Sequence, residues 1–120
     1  MATLTPTLTL SSTDATADSL SITVTDTLTT TNPAVNIARA AVLHTAETVI
    51  IASSISAVNY VYLKNIDTSN FISIKTDGGV LIMKLSPGEF AFFPLNGSVG
   101  IEAQADTATC VLEYAYFTKG

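Results

Sequence analysis

At 120 residues the chain has the length of one common domain, long enough to bury roughly two thirds of its unfolded surface without a disulfide or metal to hold it. Only 12% of its residues are charged, against about 25% in an ordinary globular protein, while 48% are hydrophobic and threonine and serine supply most of the remaining polarity. Its formal net charge is −5, and its basic residues, Arg39, Lys64, Lys75, Lys84 and Lys119, are scattered, so there is no basic stripe for phosphate contacts and nucleic acid is excluded as a partner.

Other classes fall away on similar grounds. No apolar run approaches the roughly 18 residues of a membrane-spanning helix, and no charged-then-apolar leader pattern opens the sequence. Cys110 is the single cysteine, which excludes an internal disulfide and fits synthesis in a cytoplasm. A mean hydropathy of +0.44 is high for a free monomer and suits a subunit that hides surface in an assembly.

Residues 2–10 alternate leucine with threonine, and Leu4, Leu8 and Leu10 share a face with Pro6. Proline cannot donate to a sheet ladder, so this segment reads as an edge strand or an extended N-terminal arm over residues 1–10. Ser11–Ser19 is a small, polar loop. Leu20–Leu28 alternates again, with Leu20, Ile22, Val24 and Leu28 on one face. Thr29–Pro33 turns. The segment 35–44 is compatible with a short helix around Ala38, Ala40 and Ala41 or with a strand, and the strand is favoured. Thr48–Ala52 is a short strand and 53–57 a loop.

From residue 58 onward the sequence predicts a succession of hairpins. Asn59–Ile66 and Phe71–Thr76 flank an Asp67–Asn70 turn, and Asp77-Gly78-Gly79 is a tight-turn signal. Gly79–Leu95 reads as a hairpin about Pro87-Gly88, where proline presets φ and glycine supplies the positive φ of a type II turn. Asn96-Gly97 turns, Val99–Gln104 alternates, and Thr109–Phe117 closes the chain. Eight to ten short strands with such punctuation predict an all-β fold, an antiparallel β-sandwich of jelly-roll type, as one domain over residues 1–120.

Strand parity selects a core. With Lys64, Lys84, Glu102 and Glu113 turned to water, Ile22, Val24, Val61, Leu63, Leu81, Met83, Phe90, Phe92, Val99, Ile101, Leu112 and Tyr114 are expected inside. The opposite parity still carries Tyr60, Tyr62, Phe93, Val111 and Phe117. An apolar second face marks a subunit or capsid interface, to which Leu4, Leu8 and Leu10 are added as the apolar side of the arm; cover by the chain's own first third, 35–43 above all, is the alternative.

The residues that could carry chemistry do not form a pattern. His44 is the only histidine, and no Gly-x-Ser-x-Gly elbow accompanies it. Asp14, Asp18 and Asp26 lack the spacing of a calcium loop, and Asp77-Gly78-Gly79 lacks the Lys-Ser/Thr and helix of a phosphate loop. Cys110 reads as a small buried hydrophobe. The expectation is a protein with no catalytic residue, no metal and no cofactor.

The run Tyr60-Val-Tyr-Leu-Lys-Asn-Ile-Asp67, the turn Leu85-Ser-Pro-Gly-Glu-Phe-Ala-Phe-Phe-Pro94 and the closing Leu112-Glu-Tyr-Ala-Tyr-Phe117 resemble small jelly-roll virion proteins of tailed bacteriophages, among them capsid decoration or cement proteins and fibre or tail modules. The resemblance covers 58–117 and carries no catalytic residues. It implies a homo-oligomer, often a trimer, on the outside of a capsid and bound to the major capsid protein; a tail, fibre or baseplate module that binds host glycans is the alternative.

Overall fold

The computed structural model describes residues 1–31, 37–55, 57 and 59–120, and among these every regular element is a strand. They are β1 (Ala2–Leu4), β2 (Thr7–Ser12), β3 (Leu20–Thr25), β4 (Leu28–Thr30), β5 (Ala38–Val42), β6 (Thr48–Ile51), β7 (Asn59–Asn65), β8 (Ile72–Thr76), β9 (Leu81–Leu85), β10 (Phe90–Leu95), β11 (Ile101–Ala105) and β12 (Cys110–Thr118). This is more strands than the sequence predicts. Pro6 splits the first segment into β1 and β2, and Asp26-Thr27 splits the next into β3 and β4. The strand reading of 38–42 is correct; residues 35 and 36 lie outside the described residues.

β5–β12 form two antiparallel four-stranded sheets, ordered β10-β7-β12-β5 and β6-β11-β8-β9. Pairing is nested: β5 with β12, β6 with β11, β7 with β10, β8 with β9. A long antiparallel ribbon rolled upon itself pairs in this way, and the result is a jelly roll. The expected succession of hairpins is therefore corrected. Among β5–β12 only β8–β9 is a hairpin of consecutive strands, closed at Asp77–Gly79 with Gly79 at φ 88°.

The Gly79–Leu95 segment is not a hairpin. Its turn forms as expected, with Glu89 N–H donating to Ser86 O and Gly88 at φ 82°. However, β9 stays in one sheet and β10 enters the other. The reason is Asn65, which is fully buried at the end of β7. Gly88 N–H donates to Asn65 O, and Asn65 N–H donates to Glu89 O. The Asn65 side chain donates through Nδ2 to Leu85 O and Asn70 O, both at 2.9 Å, and accepts at Oδ1 from Asp67 N–H. The turn is thus docked on β7 and carries the chain across the sandwich.

The core lies between the sheets. Val61, Leu63, Ile101 and Leu112 are buried as expected, with Met83, Val99 and Tyr114 packed against them. Ile51, Ile72, Ile74, Leu85, Leu95 and Cys110 complete it. Ile22, Val24, Leu81, Phe90 and Phe92 are exposed instead. In β10 the assumed parity is inverted. Phe93 stands opposite Val61 and packs inward with Ala91 and Leu95, while Phe90 and Phe92 stand opposite Lys64 and Tyr62 and point outward. In β9 a register shift at Ile74/Lys75 turns Leu81 out. Glu102, expected in water, is also buried.

The first third of the chain adds two ribbons. β1 pairs with β4, and β4 is tied to the end of β12 through Thr31 N–H to Thr118 O and Gly120 N–H to Thr29 O, both 2.9 Å. β2 and β3 pair only with each other, as a hairpin that Asp26 N–H to Pro6 O closes at its base. β1 and β2 are therefore each paired within their own chain on one side and are edge strands of two-stranded ribbons.

Candidate interaction surface

The outer face of the β10-β7-β12-β5 sheet gathers the aromatic residues. Cross-strand registry places Phe92 beside Tyr62, Pro94 and Phe117 beside Tyr60, and Ala115 beside Tyr62. Tyr60 and Phe92 stack, with ring centroids 6.5 Å apart and planes inclined by 19°. On one side Tyr62 Oη donates to Glu113 Oε1 at 2.8 Å, and the other carboxylate oxygen of Glu113 meets Arg39 at 3.3 Å. The Tyr62 hydrogen bond, then Arg39, hold the Glu113 carboxyl below its usual range. Burial, then Glu113, push the Tyr62 phenol up. This polar rim fixes the tyrosine while its ring remains part of the apolar face.

The chain covers part of this face itself. Leu4, Pro6 and Ile37 lean on Tyr62, Phe92, Ala115 and Phe117 around an apolar cavity of about 250 Å³. Cover by the chain's own first third is thus realised in part, through Leu4, Pro6 and Ile37. Next to it, Pro6, Thr7, Leu8, Val24 and Asp26 form one wall of a groove of about 470 Å³, and Phe90, Ala91 and Phe92 form the other. A recess bounded by Lys84, Glu89 and Phe90 continues along the free edge of β10.

The expected interface residues are distributed as follows. Tyr60, Tyr62, Val111 and Phe117 share the outer face; Tyr60 is buried there, Tyr62 and Phe117 are half-buried, and Val111 is exposed. Leu4 is half-buried against that face, whereas Leu8 and Leu10 are exposed on the hairpin. Phe93 does not belong to the group, because it points into the core. Phe90, Phe92, Ile22 and Val24, expected in the core, belong to the exposed surface. Pro94 carried a signal: it has the parity of Phe90 and Phe92, while Ala91, Phe93 and Leu95 form an unbroken apolar series.

A second polar group lies on the outer face of the other sheet. Lys75 Nζ donates to Glu47 Oε1 at 2.9 Å and Gln104 Oε1 at 3.0 Å, and Gln104 Nε2 donates to the carbonyl of His44. Burial, then the neighbouring Glu47, raise the pKa of Glu102. The His44 ring is exposed and Cys110 is fully buried. Asp14 and Asp18 occupy the hairpin loop, where Ser12 Oγ donates to Asp14. Among the described residues no group of three or more His, Cys, Asp or Glu side chains converges to hold a metal ion. Comparison of the chain with protein-family models, with curated proteins and with solved structures finds no match.

Proposed function

We propose that this chain is a non-enzymatic structural protein of a tailed-phage virion, a capsid decoration or cement protein. It is made in the host cytoplasm, assembles as a homo-oligomer, and sits on the head surface bridging major capsid subunits. The observation that carries this reading is the apolar surface running from the β2–β3 hairpin across the groove to Phe90 and Phe92. Leu8, Leu10, Ile22, Val24, Phe90 and Phe92 are between 38% and 64% exposed, and contiguous apolar area of this kind marks a protein interface. Bridging adds contact area at junctions that internal pressure strains, and a rigid sandwich with low charge and apolar flanks is suited to it. A trimer follows from the likeness to decoration proteins.

The aromatic face favours one other reading. Phe90, Phe92 and Tyr62, with Glu113 and Arg39 beside them, form a surface on which a sugar ring could stack, as in a tail, fibre or baseplate module. Stoichiometry separates the two. A denaturing gel of purified particles should show hundreds of copies per head. A handful of copies would reassign the chain to the tail, and its absence from particles would overturn both.

A further inference from the structure

We propose that Asn96 is a site of spontaneous, irreversible modification: the Gly97 backbone nitrogen attacks its side chain, which loses ammonia and leaves an aspartyl or isoaspartyl residue in the crossing between the sheets. The chemistry belongs to the chain itself and does not depend on the virion reading. Water is the only co-reactant. The Gly97 nitrogen gives up its proton and bonds to Asn96 Cγ, the Cγ–Nδ2 bond breaks, and Nδ2 leaves as ammonia. Water then opens the resulting cyclic imide at either carbonyl. One opening gives aspartate; the other routes the backbone through the side-chain carbon and gives isoaspartate.

Sequence and fold single out this position. A Cβ on the following residue crowds the approach to Cγ, and Asn96 is the one asparagine followed by glycine. It is exposed in the link after β10. Among the described residues its side chain makes no hydrogen bond and Gly97 N–H has no acceptor, so neither reacting group is held back. The other asparagines differ. Asn59 and Asn65 are fully buried in β7. Asn70 is half-buried, accepts at Oδ1 from Thr107 Oγ1 at 2.8 Å, and is followed by Phe71. Asn32 precedes Pro33, which has no N–H to lose, and Asn36 precedes the β-branched Ile37. Asp77-Gly78 is an internal comparison. Ser53 N–H donates to Asp77 Oδ2 at 2.8 Å and holds that carboxyl ionised at neutral pH. An ionised carboxylate resists attack by nitrogen; the neutral amide of Asn96 does not.

The link is also the place where a longer backbone is felt. It carries the chain from β10 in one sheet to β11 in the other. At one end Leu95 is buried opposite Asn59. At the other, Ser98 N–H donates to Ile55 O at 3.1 Å, with Ser98 at φ 68°, a left-handed conformation uncommon outside glycine. An isoaspartyl residue lengthens this span by one carbon–carbon bond, about 1.5 Å, and so displaces one of the two anchors. Either product adds one negative charge to the −5 of the chain.

Peptide mapping by mass spectrometry of the folded chain, aged at pH 8, is the test. Deamidation should proceed at Asn96 at least tenfold faster than at Asn59, Asn65 or Asn70, slow at pH 6, and vanish in Asn96→Gln, whose longer side chain closes a less favourable ring. The chain unfolded in guanidinium gives the reference rate, and the folded chain should react within tenfold of it. A slower folded chain shows that the link holds Gly97 out of reach and overturns the proposal, as does equal reaction at Asn70. The isoaspartyl fraction is then compared with Asn96→Asp, which carries the charge without the longer backbone. Hydrogen exchange at the Ser98 amide should be at least tenfold faster in the isoaspartyl form; equal exchange overturns the displaced anchor.

Discussion

Asn65 joins the two halves of the sandwich, and its replacement gives the sharpest test of the architecture. Asn65→Ala removes three side-chain hydrogen bonds, to Leu85 O, Asn70 O and Asp67 N–H. Leu85 is 4% exposed, so its carbonyl is left without water, at a cost of about 1–3 kcal/mol. The other two groups are half-buried and regain solvent, losing roughly 0.5–1 kcal/mol each. The sum, about 2–5 kcal/mol, is a large part of the about 5–15 kcal/mol that holds a domain folded. At an unfolding entropy of about 2.1 cal/mol/K per residue, it lowers Tm by roughly 8–20 °C. Asn65→Asp discriminates further. It keeps the shape but turns the donor into a carboxylate oxygen facing two carbonyls, so it should be at least as harmful as alanine at pH 7. The burial that raises a carboxyl pKa reverses this on acidification: as pH falls through the raised pKa towards the ordinary aspartate range the protonated group donates again, and this loss is partly recovered. Urea melts of both variants at pH 7 and pH 4 provide the measurement. An Asn65→Asp protein as stable as wild type at neutral pH would refute the hydrogen-bond account of the crossing.

Gly100 has φ 72°, and a Cβ there would lie 2.8 Å from both Ile51 O and Ser53 N; Gly100→Ala should therefore lower Tm by several degrees, whereas Gly88→Ala, with open space around it, should show only the milder strain of its positive φ. Leu112→Ala opens a cavity in the core and should cost about 2–5 kcal/mol in a denaturant melt. Glu102→Gln should stabilise the protein at pH 8: the raised pKa of Glu102 means that its favourable contribution exists only below the ordinary glutamate range and is lost as pH rises, so the Tm difference between variant and wild type should shrink towards pH 3. Asp67, Asp77 and Glu113 act in the opposite sense. Their lowered pKa values, set for the first two by backbone N–H donors of Asn70, Ser69 and Ser53 and for Glu113 by Tyr62, predict stability that is present at neutral pH and lost in acid; Asp67→Asn should flatten that acid limb. In dilute protein the amides of β2 and β3 should exchange at least 100-fold faster than those of β7 and β12, read by hydrogen-exchange mass spectrometry.

The all-β class was legible because alternation and turn residues act locally. Asp67–Asn70 forms its turn through its own Asp67 side chain, and Asp77–Gly79 closes a true hairpin, both readable from a few adjacent residues. Pairing across the sandwich was not legible in the same way. The turn at Pro87-Gly88 forms as its dipeptide dictates, but what it joins is decided by Asn65, more than twenty positions away in sequence, and local chemistry does not encode that contact. Parity failed where both faces of a strand are apolar. In β10, phenylalanines occupy both sides, and the period-two rule then has no polar residue to orient it. The same ambiguity affects the candidate surface: Tyr62 and Val111 share the outer face with Lys64 and Glu113, as parity implies, while Phe90, Phe92 and Phe93 take the faces opposite to those expected.

The nested order of the strands also bears on how the molecule is made. β8 and β9 meet across a turn of a few residues, but Val42 of β5 waits for Cys110 of β12, about 70 positions later. Each outer pair closes a larger loop than the one inside it, so the roll can grow from β8–β9 outward and be completed only by the final strand. Dominance of distant pairings slows folding, to milliseconds or seconds in sandwiches of this kind. During synthesis β5, β6 and β7 emerge before their partners and must stay unpaired; β5 and β6 carry no aromatic side chain, which suits segments that have to remain soluble while they wait. The phenylalanines Phe90, Phe92 and Phe93 come late in the chain, when β7 is already available to receive β10.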